Sequence, residues 1–168
     1  MTGPLAGVVI LDFTQLVQGP FATQILGDLG AEIVKVEPPK GDWLRGWAMN
    51  NLYLEGESVS FLGFNRNKRS LTLDLKNPRG IEVIKRLIPN VDVVIENFRP
   101  AVMERLGLGY ETLAAINPRV IYCASSGFGR TGPYAKRPGQ DVLIQAMTGI
   151  PTLTGRADDP PTVPGVSL

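Results

Sequence analysis

Val93-Val94-Ile95 is a run of β-branched residues with no polar alternation, and a strand of that kind has to be covered on both faces. A second such run, Val8-Val9-Ile10-Leu11, stands near the start of the chain, and residues 33–37 and 120–124 read as further strands. Between the runs the apolar period changes. Phe21, Ile25, Leu26 and Leu29 follow Pro20 at helical spacing, and Ile81, Ile84, Leu87 and Ile88 follow Asn77-Pro78 in the same way. Doubly covered strands that alternate with helices leave one arrangement open, a mainly parallel sheet joined by right-handed crossovers.

Taken in order, the spacing predicts a strand over residues 8–13, a polar loop over 14–19, a helix from Pro20 stopped by Gly30, and a strand over 33–37 closed by Pro38-Pro39. Residues 40–68 read as irregular and carry both tryptophans, Trp43 and Trp47, which are expected to act as packing anchors. A strand over 70–75 and a helix capped by Asn77-Pro78 follow. The strand over 93–95 then runs through Glu96-Asn97-Phe98 into a helix with Pro100 in its first turn, and helical character continues to Ile116. A strand over 120–124 and a short helix over 141–147 come last. The expected fold class is α/β, a Rossmann-like open, mainly parallel sheet with flanking helices. Residues 1–150 form its α/β part. Residues 151–168, rich in Pro and Gly, read as an extended segment leading into a missing remainder, so the fold is expected to be incomplete.

The sequence holds no histidine. Ser-His and Cys-His nucleophiles, His-ligated zinc and an imidazole base are therefore excluded within this chain. Cys123 is the single cysteine, which leaves no intrachain disulfide and no cysteine-based metal site, and no metal is expected. A net charge of +1 argues against nucleic acid and against a polybasic membrane patch, and no 18-residue apolar run is present. A soluble, cytoplasmic protein is expected. The loops that gather at the carboxyl edge of such a sheet carry glycines, amides and the cations Lys76, Arg99, Arg105 and Arg137. These suit a phosphate-bearing cofactor. No G-x-G-x-x-G follows the first strand, so a dinucleotide fingerprint is missing. Asp12, Asp74, Glu96 and Asp141 are scattered rather than paired.

Several blocks resemble the class III CoA-transferases along essentially the whole chain. They are Leu26-Gly27-Asp28-Leu29-Gly30-Ala31, Gly41-Asp42 with Arg45, and Asn65-Arg66-Asn67-Lys68-Arg69-Ser70 with Leu73-Asp74-Leu75-Lys76. Glu96-Asn97-Phe98-Arg99-Pro100 and Gly127-Phe128-Gly129 with Gly132-Pro133-Tyr134 complete the set. The family includes formyl-CoA and other carboxylic-acid CoA-transferases and has the α-methylacyl-CoA racemases as relatives.

The resemblance implies coenzyme A, as acyl-CoA, and a small carboxylic acid as substrates. Val17, Leu73, Lys76, Asn97, Phe98, Arg105 and Arg137 match the family's CoA contacts, and the Val17-Gln18 loop would border the thioester. Val17 and Gln18 can each be aligned with the family's glycine-loop glutamine. Gln18 and Gln140 are the catalytic candidates, and Gln140 stands where the racemases carry a catalytic histidine. The Trp47 loop resembles the part that lines the family's acyl pocket. In the family an aspartate attacks the thioester, and by this alignment that aspartate lies just past Leu168. The resemblance further implies an N-terminal part of a longer protein, an interlocked homodimer in the full-length form, and no activity for these 168 residues alone. Alternative readings are a racemase relative, a non-catalytic CoA-binding module, and a nucleotide-binding domain without CoA chemistry.

Overall fold

The computed structural model describes residues 2–165; Val166-Ser167-Leu168, where the chain reads as interrupted, lie outside them. Among the described residues five strands form one parallel sheet: β1 (Val9–Asp12), β2 (Glu32–Glu37), β5 (Lys68–Thr72), β6 (Val93–Glu96) and β7 (Ile121–Ala124). Their order is β5-β2-β1-β6-β7. The chain starts in the middle, builds outward on one side through β2 and β5, then returns to β1 and builds the other side. Helices that cross in the same hand but in opposite directions fall on opposite faces. Accordingly α1 (Gln18–Asp28) and α3 (Val59–Asn65) lie on one face, and α4 (Pro78–Leu87), α5 (Val102–Arg105) and α6 (Tyr110–Ile116) on the other.

The central strands are covered on both sides, as their unalternating runs require. Leu11, Phe13 and Val94 join Ile84, Ile88, Met103, Leu108 and Leu113 in the larger core, whereas Ile10, Ile33 and Ile95 form a smaller cluster with Ala31 on the α1 face. The smaller cluster gives way to charge toward the carboxyl end, where Asp12, Lys35 and Glu37 are buried on that same face.

Three expectations are corrected. The apolar stripe of α1 is not its buried face: Phe21, Ile25 and Leu29 are exposed, and Gly19, Pro20, Thr23, Gln24 and Gly27 are buried. The reason is close approach. A Cβ on Gly19 would lie 2.3 Å from the Thr14 side chain, and the Thr23 hydroxyl donates to Asp12 Oδ2 at 2.6 Å, so only small or hydrogen-bonding residues fit against β1.

Residues 40–68 are not irregular either. They hold α2 (Trp43–Gly46), a hairpin of β3 (Tyr53–Leu54) with β4 (Glu57–Ser58), and α3. Leu44, not a tryptophan, is the anchor: it is fully buried, while Trp43 and Trp47 are 73% and 58% exposed. The segment is ordered by charge. Arg45 donates to the two Glu37 oxygens at 2.7 and 2.8 Å, reaches Glu57 at 3.2 Å, and lies 3.8 Å from the Phe61 ring centroid.

The helix after β6 is the third correction. Only one turn, Val102–Arg105, forms there, and Ala101 before it is left-handed at φ 67°. Pro100 therefore precedes the helix, and α6 is separate from it.

Compactness separates Met1–Ser125 from Ser126–Leu168, and the composition shift after Gly149 falls inside the second unit. That unit contains α7 (Asp141–Thr148) and an extended tail that folds back through Thr162 N donating to Pro151 O at 2.9 Å.

Two stability tests follow from this packing. A Cβ on Gly80, in the first turn of α4, would stand 2.3 Å from the Asp74 carbonyl oxygen, so Gly80→Ala should cost about 1–3 kcal/mol, read as a lower denaturant midpoint at unchanged m-value. Burial alone would raise the Glu37 carboxyl, but hydrogen bonds from Arg45, Ser70 and the Asp42 amide outweigh it and bring it to about 2. A depressed carboxylate stabilises the fold above its unfolded value near 4.5 and loses that contribution as pH falls toward 2. With Arg45 partly in solvent, about 2 kcal/mol should be lost over that window and be absent from the same titration of Glu37→Gln.

Candidate functional site

The strand order reverses between β1 and β6. Loops leaving two such strands diverge and open a crevice at their carboxyl ends. Asn97, just past β6, spans it: its Oδ1 accepts from Gln15 N and its Nδ2 donates to Gln15 O, both at 2.9 Å. The opposite side of the same loop is held from β2. Lys35 Nζ donates to Thr14 O at 2.8 Å and pairs with Asp42 Oδ2 at 2.8 Å. Asp42 Oδ1 accepts from Leu44 N at 2.9 Å, capping α2, and from Leu16 N at 3.4 Å. Between the clamps Leu16 takes φ 66°, a left-handed conformation that a bulky residue adopts only when its surroundings impose it.

Beside this loop is a shallow apolar pocket of about 630 Å³, lined by Leu16, Trp43, Gly46 and Trp47. The tryptophans expected to be buried anchors are thus its walls. Val17 is the residue before α1 and Gln18 its first residue, so both catalytic-loop candidates lie at a helix start next to the pocket. Gln18 is exposed.

Beneath the loop the charges balance. Asp12 accepts from Thr14 N at 2.8 Å and from Thr23, and meets Lys68 Nζ at 3.2 Å. Lys68 also donates to Pro20 O and Asn65 Oδ1. Burial lowers Lys68 to about 8, against the pull of Asp12. With Lys35–Asp42 and Arg45–Glu37, three cations face three carboxylates. Lys35, Asp42 and Lys68 were not singled out as a cluster from the sequence. A lysine inside a strand otherwise covered on both faces is the signal that could have found them, because a buried ammonium needs a carboxylate.

Of the expected cofactor contacts in the first unit, Leu73 and Phe98 are half-buried against the larger core, and Lys76 and Arg105 are exposed. Leu73 N continues the β5 ladder to Glu37 O at 2.8 Å. Phe98 N is held by Glu96 Oε2 at 2.8 Å, and Tyr122 lies against Glu96; burial and that carboxylate push its phenol up. The loops after β5, β1 and β6 share one edge, so the outermost of them lie three strand spacings, roughly 14 Å, apart. A ligand touching all three must be extended. In the second unit, Gln140 precedes α7, exposed and without a side-chain cap bond, and Arg137 stacks 4.1 Å from the Tyr134 ring centroid. Among the described residues no group of three or more metal-ligating side chains is found, and no helix is long and apolar enough to cross a membrane.

Comparison with known proteins bears on the family and the fold. The chain is 46% identical over 166 residues to a succinyl-CoA:glutarate CoA-transferase of Mus musculus, which covers 98% of the chain and 38% of that protein. It is 48% identical over 168 residues to an acetyl-CoA:oxalate CoA-transferase of Acetobacter aceti, 99% of the chain and 42% of that protein. A solved CAIB/BAIF family protein from Brucella suis superposes with a TM-score of 0.92 at 45% identity, over 99% of this chain and 44% of its own. The chain thus spans about two fifths of the length of these relatives. Residues 5–168 match the sequence profile of CoA-transferase family III, and the chain belongs to that family.

Proposed function

We propose that this chain supplies the CoA-binding part of an enzyme that moves CoA between an acyl-CoA thioester and a free carboxylic acid. The observation that carries the reading is the crevice at the β1/β6 reversal, with an apolar pocket on one side and the Leu73–Lys76 and Asn97–Phe98 loops along the same edge. An extended thioester fits that layout: the pantetheine and nucleotide follow the edge, Lys76 and Arg105 meet the phosphates, and the acyl group lies by Leu16, Trp43 and Trp47. Arg137 and Gln140 take their family roles, in cofactor binding and catalysis, from the sequence match alone.

In the proposed reaction an aspartate beyond Leu168 attacks the thioester carbonyl, the C–S bond breaks, and CoA leaves as thiolate from a mixed anhydride. The acceptor carboxylate then displaces the donor acid from the anhydride, and the CoA thiolate attacks the acceptor's acyl carbonyl, forming the new thioester and releasing the aspartate carboxylate. A carboxylate is a weak nucleophile, so the site must orient it and hold the oxyanion with amide donors. Gln18 and the first amides of α1 are the donors this chain offers. The pocket walls carry no titratable group, and an amide at Gln140 cannot remove an α-proton, so transfer is favoured over racemisation. We further propose a cytoplasmic homodimer as the working form, with the 168-residue chain inactive by itself.

The reading is tested by incubating the intact natural polypeptide with succinyl-CoA and a panel of dicarboxylic acids, and trapping the anhydride with hydroxylamine. CoA should appear on the acceptor acid and hydroxylamine should stop turnover; neither event in any acid overturns the reading. Gln18→Ala should lower kcat about 10²-fold with little change in KM for acyl-CoA, the usual cost of one oxyanion donor. An unchanged kcat would remove Gln18 from the mechanism and leave the family's position to Val17.

A further inference from the structure

We propose that the buried Lys35–Asp42 pair is the positioning pair of the acyl pocket, clamping the β1–α1 loop to α2 and so setting the separation of Leu16 from Trp43 and Trp47. The inference rests on the proposed transferase reading and adds to it two buried residues that are not among the pocket walls.

The geometry leaves few other ways to build this corner. Two loops meet there, and they bring backbone polar groups of Thr14 and Leu44 into buried space and the Leu16 amide to its margin. Thr14 offers a carbonyl, while Leu16 and Leu44 offer N–H groups. A buried carbonyl and buried amides each need a partner. Lys35 supplies the donor and Asp42 the acceptor, and their own contact at 2.8 Å, with side chains 2% and 1% exposed, cancels the charge each brings. One ion pair therefore satisfies both loops and ties them together.

Two of the pocket walls, Leu16 and Trp43, adjoin these contacts. Leu16 takes its left-handed backbone between Gln15, held by Asn97, and its own amide, held by Asp42. Trp43 begins α2, whose cap is Asp42. Asp42 is held in turn by Glu37 Oε2, which accepts from Asp42 N at 3.0 Å and also from Arg45 in α2. Leu16 and Trp43, on the two sides of the pocket, are thus next to atoms the pair binds, and Trp47 follows directly on α2. A merely stabilising ion pair would have no reason to engage both walls of one cavity.

The test uses the intact natural polypeptide with Lys35→Met and Asp42→Asn combined. Met keeps the lysine's volume but loses the bond to Thr14 O that holds the loop, Asn keeps an oxygen for the α2 cap, and no lone charge stays buried. The folded double variant should lose at least tenfold in its kcat/KM discrimination between short and bulky acyl-CoA substrates, with KM for acyl-CoA shifted less than twofold. Amide hydrogen exchange at Leu16 should rise at least tenfold while that at Leu73 is unchanged. Wild-type discrimination together with wild-type Leu16 exchange would overturn the proposal. If the double variant does not fold, the unmodified protein decides: slow exchange at Leu16 supports the clamp, and exchange at the rate of an unstructured peptide overturns it. No CoA transfer by the unmodified protein overturns the functional reading instead, and is told apart because the Leu16 exchange difference persists.

Discussion

Lys35 and Asp42 face each other at 2.8 Å with almost no access to water, in a corner where β2, the β1–α1 loop and α2 converge. Burying either charge alone would cost several kcal/mol. Each is tolerable because the other is there, and because backbone groups of both loops bond Lys35 Nζ and Asp42 Oδ1. The same condition extends outward. Lys68 sits beside Asp12, and Arg45 spans both oxygens of Glu37, so the end of the sheet carries its own neutral set of ions. Removing one member leaves its partner an uncompensated buried charge.

That set of ions determines where the crevice can be. The apolar lower part of the α1 face, Ile10, Ile33 and Ile95, holds the sheet to α1 by ordinary burial. The polar upper part cannot close in the same way. It fixes loops instead, and those loops carry the residues that surround the crevice. Asn97 does the equivalent work from β6. Its amide is engaged on both sides by Gln15, so a residue matching a family cofactor contact also holds the neighbouring loop in place.

Much of the scaffold was legible from side-chain pattern. Val93-Val94-Ile95 and residues 8–13 are read correctly as covered strands because β-branched runs without alternation have no other stable home. The helix after Asn77-Pro78 is equally legible: Asn77 accepts from Arg79 N at 3.0 Å, and Ile84 is fully buried. The α1 face was not legible. Periodicity pointed to Phe21, Ile25 and Leu29, yet close approach admitted Gly19 and Thr23 against Thr14 and Asp12, and Gly27 against Ile33 and Asn67. Residues 40–68 failed for a related reason. Their order comes from Arg45–Glu37 and Lys35–Asp42, contacts that join the segment to a strand preceding it. The helix expected from Pro100 shrank to one turn, bounded by left-handed Ala101 before it and left-handed Gly107 after it.

The sequence by itself determined that these strands pair in parallel between helices, that imidazole and thiol-pair chemistry are unavailable, and that the family's motif blocks are present in order. Those properties depend on residue type and local spacing. Only the tertiary structure decided that Trp43 and Trp47 line a cavity rather than fill a core, that Leu16 is held left-handed, and that Lys35 belongs to Asp42. Each of these depends on which atoms meet across a loop, and a buried charge or a strained backbone is tolerated only by partners that the fold, not the neighbouring sequence, brings within reach.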